Sequence, residues 1–324
     1  MKRVKLLALS LASIFSLVRS LSCGRCGNAP EPFAERAIII TVDGLASWVL
    51  KLADAPNIRQ LMNHGCYTLN ARTVRPSATL PAHVSLFTAV PPSVHGFDFD
   101  SYIPERGYVQ RRTLFTFARA KGLSTAMIVG KKKLFHIANP NWVNYAPRIK
   151  RANATKILNA ALECLKQMQP HVLFIHFPEP DWVGHERGWG SKAQLDEVRK
   201  CDAHIGAVVK ALKEFKMWDR ALLVITADHG GHGRWHYGKD ERDLLIPLIF
   251  SGGAVKQRGE LSGKISICDV APTVAYALSL PMPEEWAKKI IKSVFPGEKG
   301  STQQRFDFPR QVHLERFAAS VLQM

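Results

Sequence analysis

The sequence predicts an α/β domain, a mostly parallel central sheet flanked by helices on both faces, and three observations predict it. Five short runs, at 37–42, 125–129, 172–177, 222–226 and 246–250, are nearly continuous in apolar residues, as strands buried on both faces must be. Stretches of helical period, such as 156–168 and 192–215, lie between them, and strand–helix alternation leads to parallel pairing through crossovers. Acidic and imidazole side chains follow three of the runs, and in such sheets functional residues collect in loops at the carboxyl ends of the strands.

Composition sets the limits. Of 324 residues, 46% are hydrophobic and 22% charged, which excludes a disordered tail protein, a collagen-like fibre and a bare disulfide scaffold. No repeat or low-complexity block interrupts the chain, so residues 34–285 are expected to form one domain, preceded by a linker at 23–33 and followed by a basic tail at 286–324. The segment from 283 onward, with Trp286, Lys288, Lys289, Ile290 and Ile291, is amphipathic and is expected to pack on the domain.

The N-terminus reads as an address. Lys2, Arg3 and Lys5 precede an apolar stretch at 6–18, with small residues up to Cys23. This is the pattern of an export signal at 1–22, too short for a permanent membrane anchor, and it implies a periplasmic or secreted protein. Ser20-Leu21-Ser22-Cys23 faintly resembles a lipoprotein cleavage box with its leucine one position out of place; lipidation at Cys23, with weak membrane association, is the alternative. Six cysteines (23, 26, 66, 164, 201 and 268) fit an exported chain holding one or two disulfides. Cys23-Gly-Arg-Cys26 has no second CxxC to complete a zinc ribbon, and Cys164 and Cys201 fall in helical patterns as small core residues.

Forty-four Lys and Arg against 27 Asp and Glu give a net charge of +17. That excess fits an anionic ligand, an acidic envelope surface or nucleic acid. The basic residues are scattered and no nucleic-acid-binding motif is visible. Lys131-Lys132-Lys133 follows the run at 125–129, which puts Lys131 on the functional edge, where it could draw in an anionic substrate.

The strand ends carry the chemistry. The run at 37–42 is followed by Asp43-Gly44; 172–177 leads into Pro178-Glu179-Pro180-Asp181-Trp182-Val183-Gly184-His185; 222–226 leads into Ala227-Asp228-His229-Gly230-Gly231-His232 and, a little later, His236. Mixed Asp and His clusters are the ligands expected of zinc or a similar metal. Asp181 and His185, four apart, share one face of a helical turn, whereas adjacent Asp228 and His229 can reach one ion only from a loop. With Asp43 and a later histidine there are ligands for two divalent ions, a pair suited to stabilising attacking and leaving oxygens in phosphoryl displacement. In the segment 75–86, Pro81 marks a helix start with Thr79 at or beside the N-cap. The free NH groups there favour an anion, and an ionised hydroxyl is one candidate. Taken singly, Asp43-Gly44 reads as a turn, Thr79 as a helix cap, His83 as a packed histidine and His95-Gly96 as a turn closure. Their coincidence along one sheet edge is what points to a site.

The ordered set VDG (Asp43), SATLPAH (Thr79), HG (His95-Gly96), EPDWVGH (Asp181, His185), ADHGGHG (Asp228, His229) and DVAPT (269–273) resembles the alkaline phosphatase superfamily, and is most similar to its type I phosphodiesterase/nucleotide pyrophosphatase branch. The resemblance covers roughly residues 36 to 280. It implies an alkaline phosphatase-like fold and a small anionic phosphate-ester substrate. It also implies Thr79 as a nucleophile forming a covalent phosphothreonine, with one zinc on Thr79, Asp43, Asp228 and His229. The second zinc falls to Asp181, His185 and a third histidine: His236 first, His232 second and His313 in the tail a distant third. Where relatives place an asparagine beside the phosphate, this chain has Asp100. A carboxylate facing phosphate would repel it, so Asp100 is expected to be protonated, turned away or differently employed.

Asp202 adds a further expectation. It falls on the apolar stripe of Leu195, Val198, Ile205, Val209 and Leu212, so it should be buried, hydrogen-bonded and bracing the metal loops. The reading is an exported two-zinc phosphoesterase acting on diesters or nucleotide pyrophosphates. The alternatives are a phosphomonoesterase or phosphoryl-headgroup transferase, with Arg75, Lys131 and Arg234 as possible extra positive groups, and a metal-binding homologue with little turnover.

Overall fold

The structure, a computed structural model, describes residues 31–255 and 259–295. The expected export signal, Cys23, Cys26, most of the linker, His313 and the tail beyond residue 295 lie outside the described residues. No helix among the described residues is long and apolar enough to cross a membrane.

Among the described residues, seven strands form one sheet in the order β3-β4-β1-β5-β6-β2-β7: β1 (Arg36–Val42), β2 (Cys66–Arg72), β3 (Thr125–Val129), β4 (Val172–Phe177), β5 (Ala221–Thr226), β6 (Leu245–Ser251) and β7 (Gly259–Glu260). Strands β3, β4, β1 and β5 are parallel, in registers such as Ala37 with Val172 and Ala37 with Leu222. Strand β6 runs antiparallel to β5 and β2. The sequence reading located five strands and missed β2 and β7; in β2, CYTLNAR carries polar residues and buries only Cys66, Thr68 and Ala71, its alternation broken by a register shift between Thr68 and Ala71.

Helices cover both faces, and β4 shows how. Phe174 and Phe177 are three apart and so point to opposite faces. Phe174 meets Phe87 of α3 (Thr79–Thr88), ring centroids 4.9 Å apart, while Phe177 meets His204 of α8 (Lys192–Glu214) at 5.7 Å. On the α3 face lie α5 (Leu114–Ala120) and α10 (Val270–Ala277); α8 packs with α1 (Ser47–Leu52), α2 (Pro56–His64), α6 (Ala154–Gln167) and α7 (Glu179–Arg187). All ten residues of α3 are buried, so the helix lies inside the molecule rather than along its surface. Ser191 caps α8 by accepting from Gln194 N, and Asn153 caps α6 by accepting from Lys156 N.

The amphipathic segment from 283 lies against the domain: Trp286, Val294 and Phe295 are buried, Trp286 packs against Phe117 at 4.9 Å, and Phe295 stacks on Phe33 at 4.8 Å. Asp202 is buried and hydrogen-bonded, but it does not brace the metal loops. Its carboxylate accepts from Asn57 N, Asn57 Nδ2 and Ile58 N at 3.1, 2.7 and 2.7 Å, which closes the start of α2, where free NH groups need an acceptor. The stripe of α8 is also rotated slightly, with Gln194 and Val208 buried and Leu195 and Val209 half-buried. Cys66, Cys164, Cys201 and Cys268 are all buried and free.

Candidate active site

The carboxyl ends of β1, β3, β4 and β5 deliver their side chains to one place. After β1 the chain turns at Asp43-Gly44. Gly44 has φ +69°, and a Cβ there would lie 3.1 Å from Asp181 Cα, so a side chain would be both strained and crowded. That close approach brings Asp43 beside Asp181, which sits in the first turn of α7 directly after β4. After β5, Asp228 and His229 enter a buried loop: Asp228 Oδ1 accepts from Gly44 N at 3.1 Å and from His229 N at 3.0 Å.

The histidines are oriented alike. His185, His229 and His236 each place Nδ1 against a backbone carbonyl: Arg234 O at 3.0 Å, Gly230 O at 2.9 Å and Ser77 O at 2.6 Å. A carbonyl only accepts, so Nδ1 carries hydrogen and Nε2 faces inward, the arrangement of metal-binding imidazoles held by outer partners. His236 Nε2 and His185 Nε2 are 3.1 Å apart and lie 3.7 and 3.4 Å from Asp181 Oδ1. His229 Nε2 lies 3.4 Å from Asp43 Oδ1, 3.5 Å from Asp228 Oδ2 and 3.8 Å from Asp181 Oδ1. The structure thus groups Asp181 with His185 and His236, and Asp43 with Asp181 and His229. His232 is turned elsewhere: its Nδ1 bonds Asp243 Oδ1 at 2.6 Å.

Four of these atoms have no hydrogen-bond partner although they are buried: Asp43 Oδ1, Asp181 Oδ1, Asp228 Oδ2 and His229 Nε2. An orphaned buried polar atom costs about 1–3 kcal/mol, more when charged. Four orphans facing one another, three of them anionic, are the donor set of a cation site, and the residues fit a divalent metal.

The electrostatics reflect this crowding. Burial pushes Asp228 up, the neighbouring Asp43 charge adds to it, and its carboxyl reaches about 6. Burial opposes the charge on His229, but Asp228, Asp43 and Asp181 outweigh it and lift the imidazole to about 10. Burial, joined by the charge of His229, lowers His236 to about 2. Burial also works against ionised Asp43, yet Lys131 and His176 hold its carboxyl well below the usual range.

Thr79 opens α3 after Ala78 at the N-cap and lines a cleft of about 490 Å³ together with Lys131, Trp182, His185, His236 and Tyr237. Asp100 lies in the same cleft and is differently employed. Its Oδ1 accepts from Leu80 N at 2.8 Å, filling the start of α3, and its Oδ2 meets Lys133 Nζ at 2.6 Å and Tyr237 OH at 2.9 Å.

Lys131, placed at the functional edge by its position after β3, lines the cleft with its ammonium buried against Asp43 Oδ2 at 2.7 Å and Asp181 Oδ2 at 2.6 Å, and it donates to Thr79 Oγ1 at 3.1 Å. The sequence reading missed His176, inside the apolar strand β4. Its Nε2 donates to Asp43 Oδ2 at 2.8 Å while its Nδ1 accepts from Gly130 N at 3.2 Å. A single polar residue in a run buried on both faces was the available signal. His83 is fully buried between Thr41 Oγ1 at 2.9 Å and Thr79 O at 2.7 Å, so it supports Thr79 from behind.

A family model described as type I phosphodiesterase / nucleotide pyrophosphatase matches residues 37–233. Mouse bis(5'-adenosyl)-triphosphatase is 24% identical over 238 residues, covering 67% of this chain and 52% of the relative. The venom phosphodiesterase of Macrovipera lebetinus is 22% identical over 307 residues, covering 86% of this chain and 35% of the relative. The chain therefore spans about half, or less, of the length of these relatives. Among solved structures, an inactive variant of murine ectonucleotide pyrophosphatase/phosphodiesterase 5 in complex with AMP superposes with a TM-score of 0.67 at 14% identity, covering 81% of this chain and all of that one. At that identity the likeness concerns the fold.

Proposed function

Because the chain belongs to the type I phosphodiesterase / nucleotide pyrophosphatase family, we propose that it hydrolyses phosphodiesters or nucleotide pyrophosphates with Thr79 as the nucleophile. The observation that carries the reading is the convergence of inward-facing imidazole nitrogens and orphaned carboxylate oxygens beside the Thr79 hydroxyl. The AMP complex of the murine structural neighbour is in keeping with a nucleotide substrate here.

In the first half-reaction Thr79 Oγ1 attacks phosphorus, a P–O bond to threonine forms, and the bond to the departing oxygen breaks. The threonine proton is lost and the departing group leaves protonated. In the second half, water attacks the same phosphorus, the bond to Thr79 breaks and the hydroxyl is restored. Lys131 holds the Thr79 hydroxyl from one side and His83 holds its carbonyl from the other, so the nucleophile is oriented before substrate enters. Asp43, Asp228 and His229 with Thr79, and Asp181, His185 and His236, would hold two zinc ions, which when bound polarise phosphoryl oxygens and stabilise developing charge. Trp182 and Tyr237 leave exposed ring surface at the cleft, suited to covering the organic part of a substrate. Export belongs to the same reading and is supported by the basic head and apolar stretch at the N-terminus.

Phosphomonoesters are the second reading, favoured by one observation: Lys131, Lys132 and Lys133 all line the cleft, and a dianion needs more positive charge than a diester. Turnover of bis-nitrophenyl phosphate and of nitrophenyl phosphate by the zinc-loaded protein decides between them. Diester preference supports the first reading, monoester preference the second, and silence on both contradicts hydrolysis of simple phosphate esters.

A further inference from the structure

We propose that Lys132 and Arg148 form a subsite for a second phosphate joined to the one under attack, so that substrates with linked phosphates are preferred to simple diesters. The inference rests on the hydrolytic reading above and names the substrate class of that same cleft.

The first observation is which cations of the cleft are already neutralised. Lys131, Lys132 and Lys133 all line it. Lys131 is held between Asp43 and Asp181 at 2.7 and 2.6 Å, and Lys133 meets Asp100 Oδ2 at 2.6 Å. The acids that line the cleft, Asp100 and Asp181, are thus both engaged. Lys132 is exposed, has no acidic partner among the described residues, and lies over the Tyr102 ring with Nζ 4.5 Å from its centroid.

The second observation is how that charge is held. Arg148 is also exposed and without an acidic partner among the described residues; its guanidinium lies 4.4 Å over the Phe135 ring and 5.9 Å from the Tyr102 centroid. Tyr102 is braced in turn by His136 at 4.9 Å, whose ring nitrogens are fixed by Ile103 N and Gly107 O. An aromatic face steadies a cation without cancelling its charge, whereas a carboxylate would cancel it. Two positive heads therefore flank one cleft-lining tyrosine, and the arginine fork matches phosphate oxygens.

The surrounding chain adds to this field. From residue 106 to residue 162 there are twelve Lys and Arg and no Asp or Glu, so the charge on this side of the cleft is positive throughout and draws in an anion. A simple diester carries one negative charge, at the phosphorus beside Thr79, and leaves Lys132 and Arg148 without a counterpart. Thr79 and Lys132 line the same cleft, so a phosphate linked to the attacked one is the part of a substrate that suits these two heads.

A matched pair of substrates tests this with the zinc-loaded, full-length protein. Thymidine triphosphate and the nitrophenyl ester of thymidine monophosphate are both cut at the phosphorus next to the sugar, and differ in the departing group, pyrophosphate in one and nitrophenolate in the other. Lys132→Gln should lower kcat/KM for the triphosphate roughly tenfold more than for the ester. Lys132→Arg should restore most of that difference, and adding Arg148→Gln to Lys132→Gln should widen it. Equal losses on both substrates, or a loss confined to the ester, overturns the proposal. A binding measurement keeps the two readings apart: calorimetry of zinc-loaded Thr79→Ala should show its preference for thymidine triphosphate over thymidine monophosphate falling roughly tenfold when Lys132→Gln is added. An unchanged preference overturns the subsite. Cleavage of neither substrate by the wild type, with the preference falling as expected, counts only against the hydrolytic reading.

Discussion

His176 Nε2 donates to Asp43 Oδ2 at 2.8 Å while Gly130 N donates to His176 Nδ1 at 3.2 Å. One buried imidazole thus ties the ends of β1, β3 and β4 together and fixes which face Asp43 turns toward the orphaned cluster. Such outer partners of a metal ligand typically carry about 10- to 100-fold in metal affinity. His176→Leu is expected to weaken zinc binding by that factor, and zinc titration of the folded variant checks it. Unchanged affinity would reduce His176 to a packing residue.

The Thr79 hydroxyl accepts a hydrogen bond from Lys131 Nζ at 3.1 Å, so replacing it with alanine should cost about 0.5–1.5 kcal/mol. Thr79→Ala should therefore melt within a few degrees of the wild type and lose turnover by about a thousandfold or more. Steady-state assay and thermal melting of the same preparation give both numbers. Substantial remaining activity would move the nucleophile elsewhere.

The His229 imidazole, lifted to about 10 although burial opposes its charge, sets a pH dependence. In the metal-free protein it carries a proton at neutral pH. Its folded value lies above the ordinary one, so the stability it contributes is complete below about pH 6.5 and fades as pH rises toward 10. A metal needs Nε2 bare, so zinc entering at pH 7 must expel that proton. Zinc affinity should rise with pH by up to about tenfold per unit, and calorimetry in two buffers of different ionisation enthalpy should report about one proton released. Affinity flat between pH 6.5 and 8.5 would contradict it.

Asp202 gives a stability prediction that separates it from the site. Asp202→Ala leaves Asn57 N and Ile58 N at the start of α2 without their acceptor and should cost about 1–3 kcal/mol in denaturant unfolding. Zinc content should stay at the wild-type level. A loss of zinc without a loss of stability would restore the bracing role that the sequence suggested.

These residues also show what was legible beforehand. Asp43, Asp181 and Asp228 stood out because each lies within four residues after an apolar run, and the run itself locates the sheet edge. The burial of Asp202 followed from helical periodicity alone, but its partner did not. Helix α2 is short and polar, so nothing in the chain announced an NH group waiting there. Lys131 was read as lying at the edge among three lysines, which is how charge runs usually behave. Its inward turn depends on acids contributed by β1 and α7, and no spacing within 131–133 encodes that. Strand β2 escaped for the converse reason: it pairs beyond β6 toward the sheet edge, and Thr68, Asn70 and Arg72 disguise its alternation.

The most direct measurement is a rapid-quench reaction with a diester or dinucleotide substrate, followed by mass mapping of the peptide containing residue 79. The account predicts a transient adduct on Thr79 that retains phosphorus and the uncleaved ester group, and that is absent from Thr79→Ala. Continued turnover with residue 79 unmodified at every time point, or an adduct on another side chain, would contradict it.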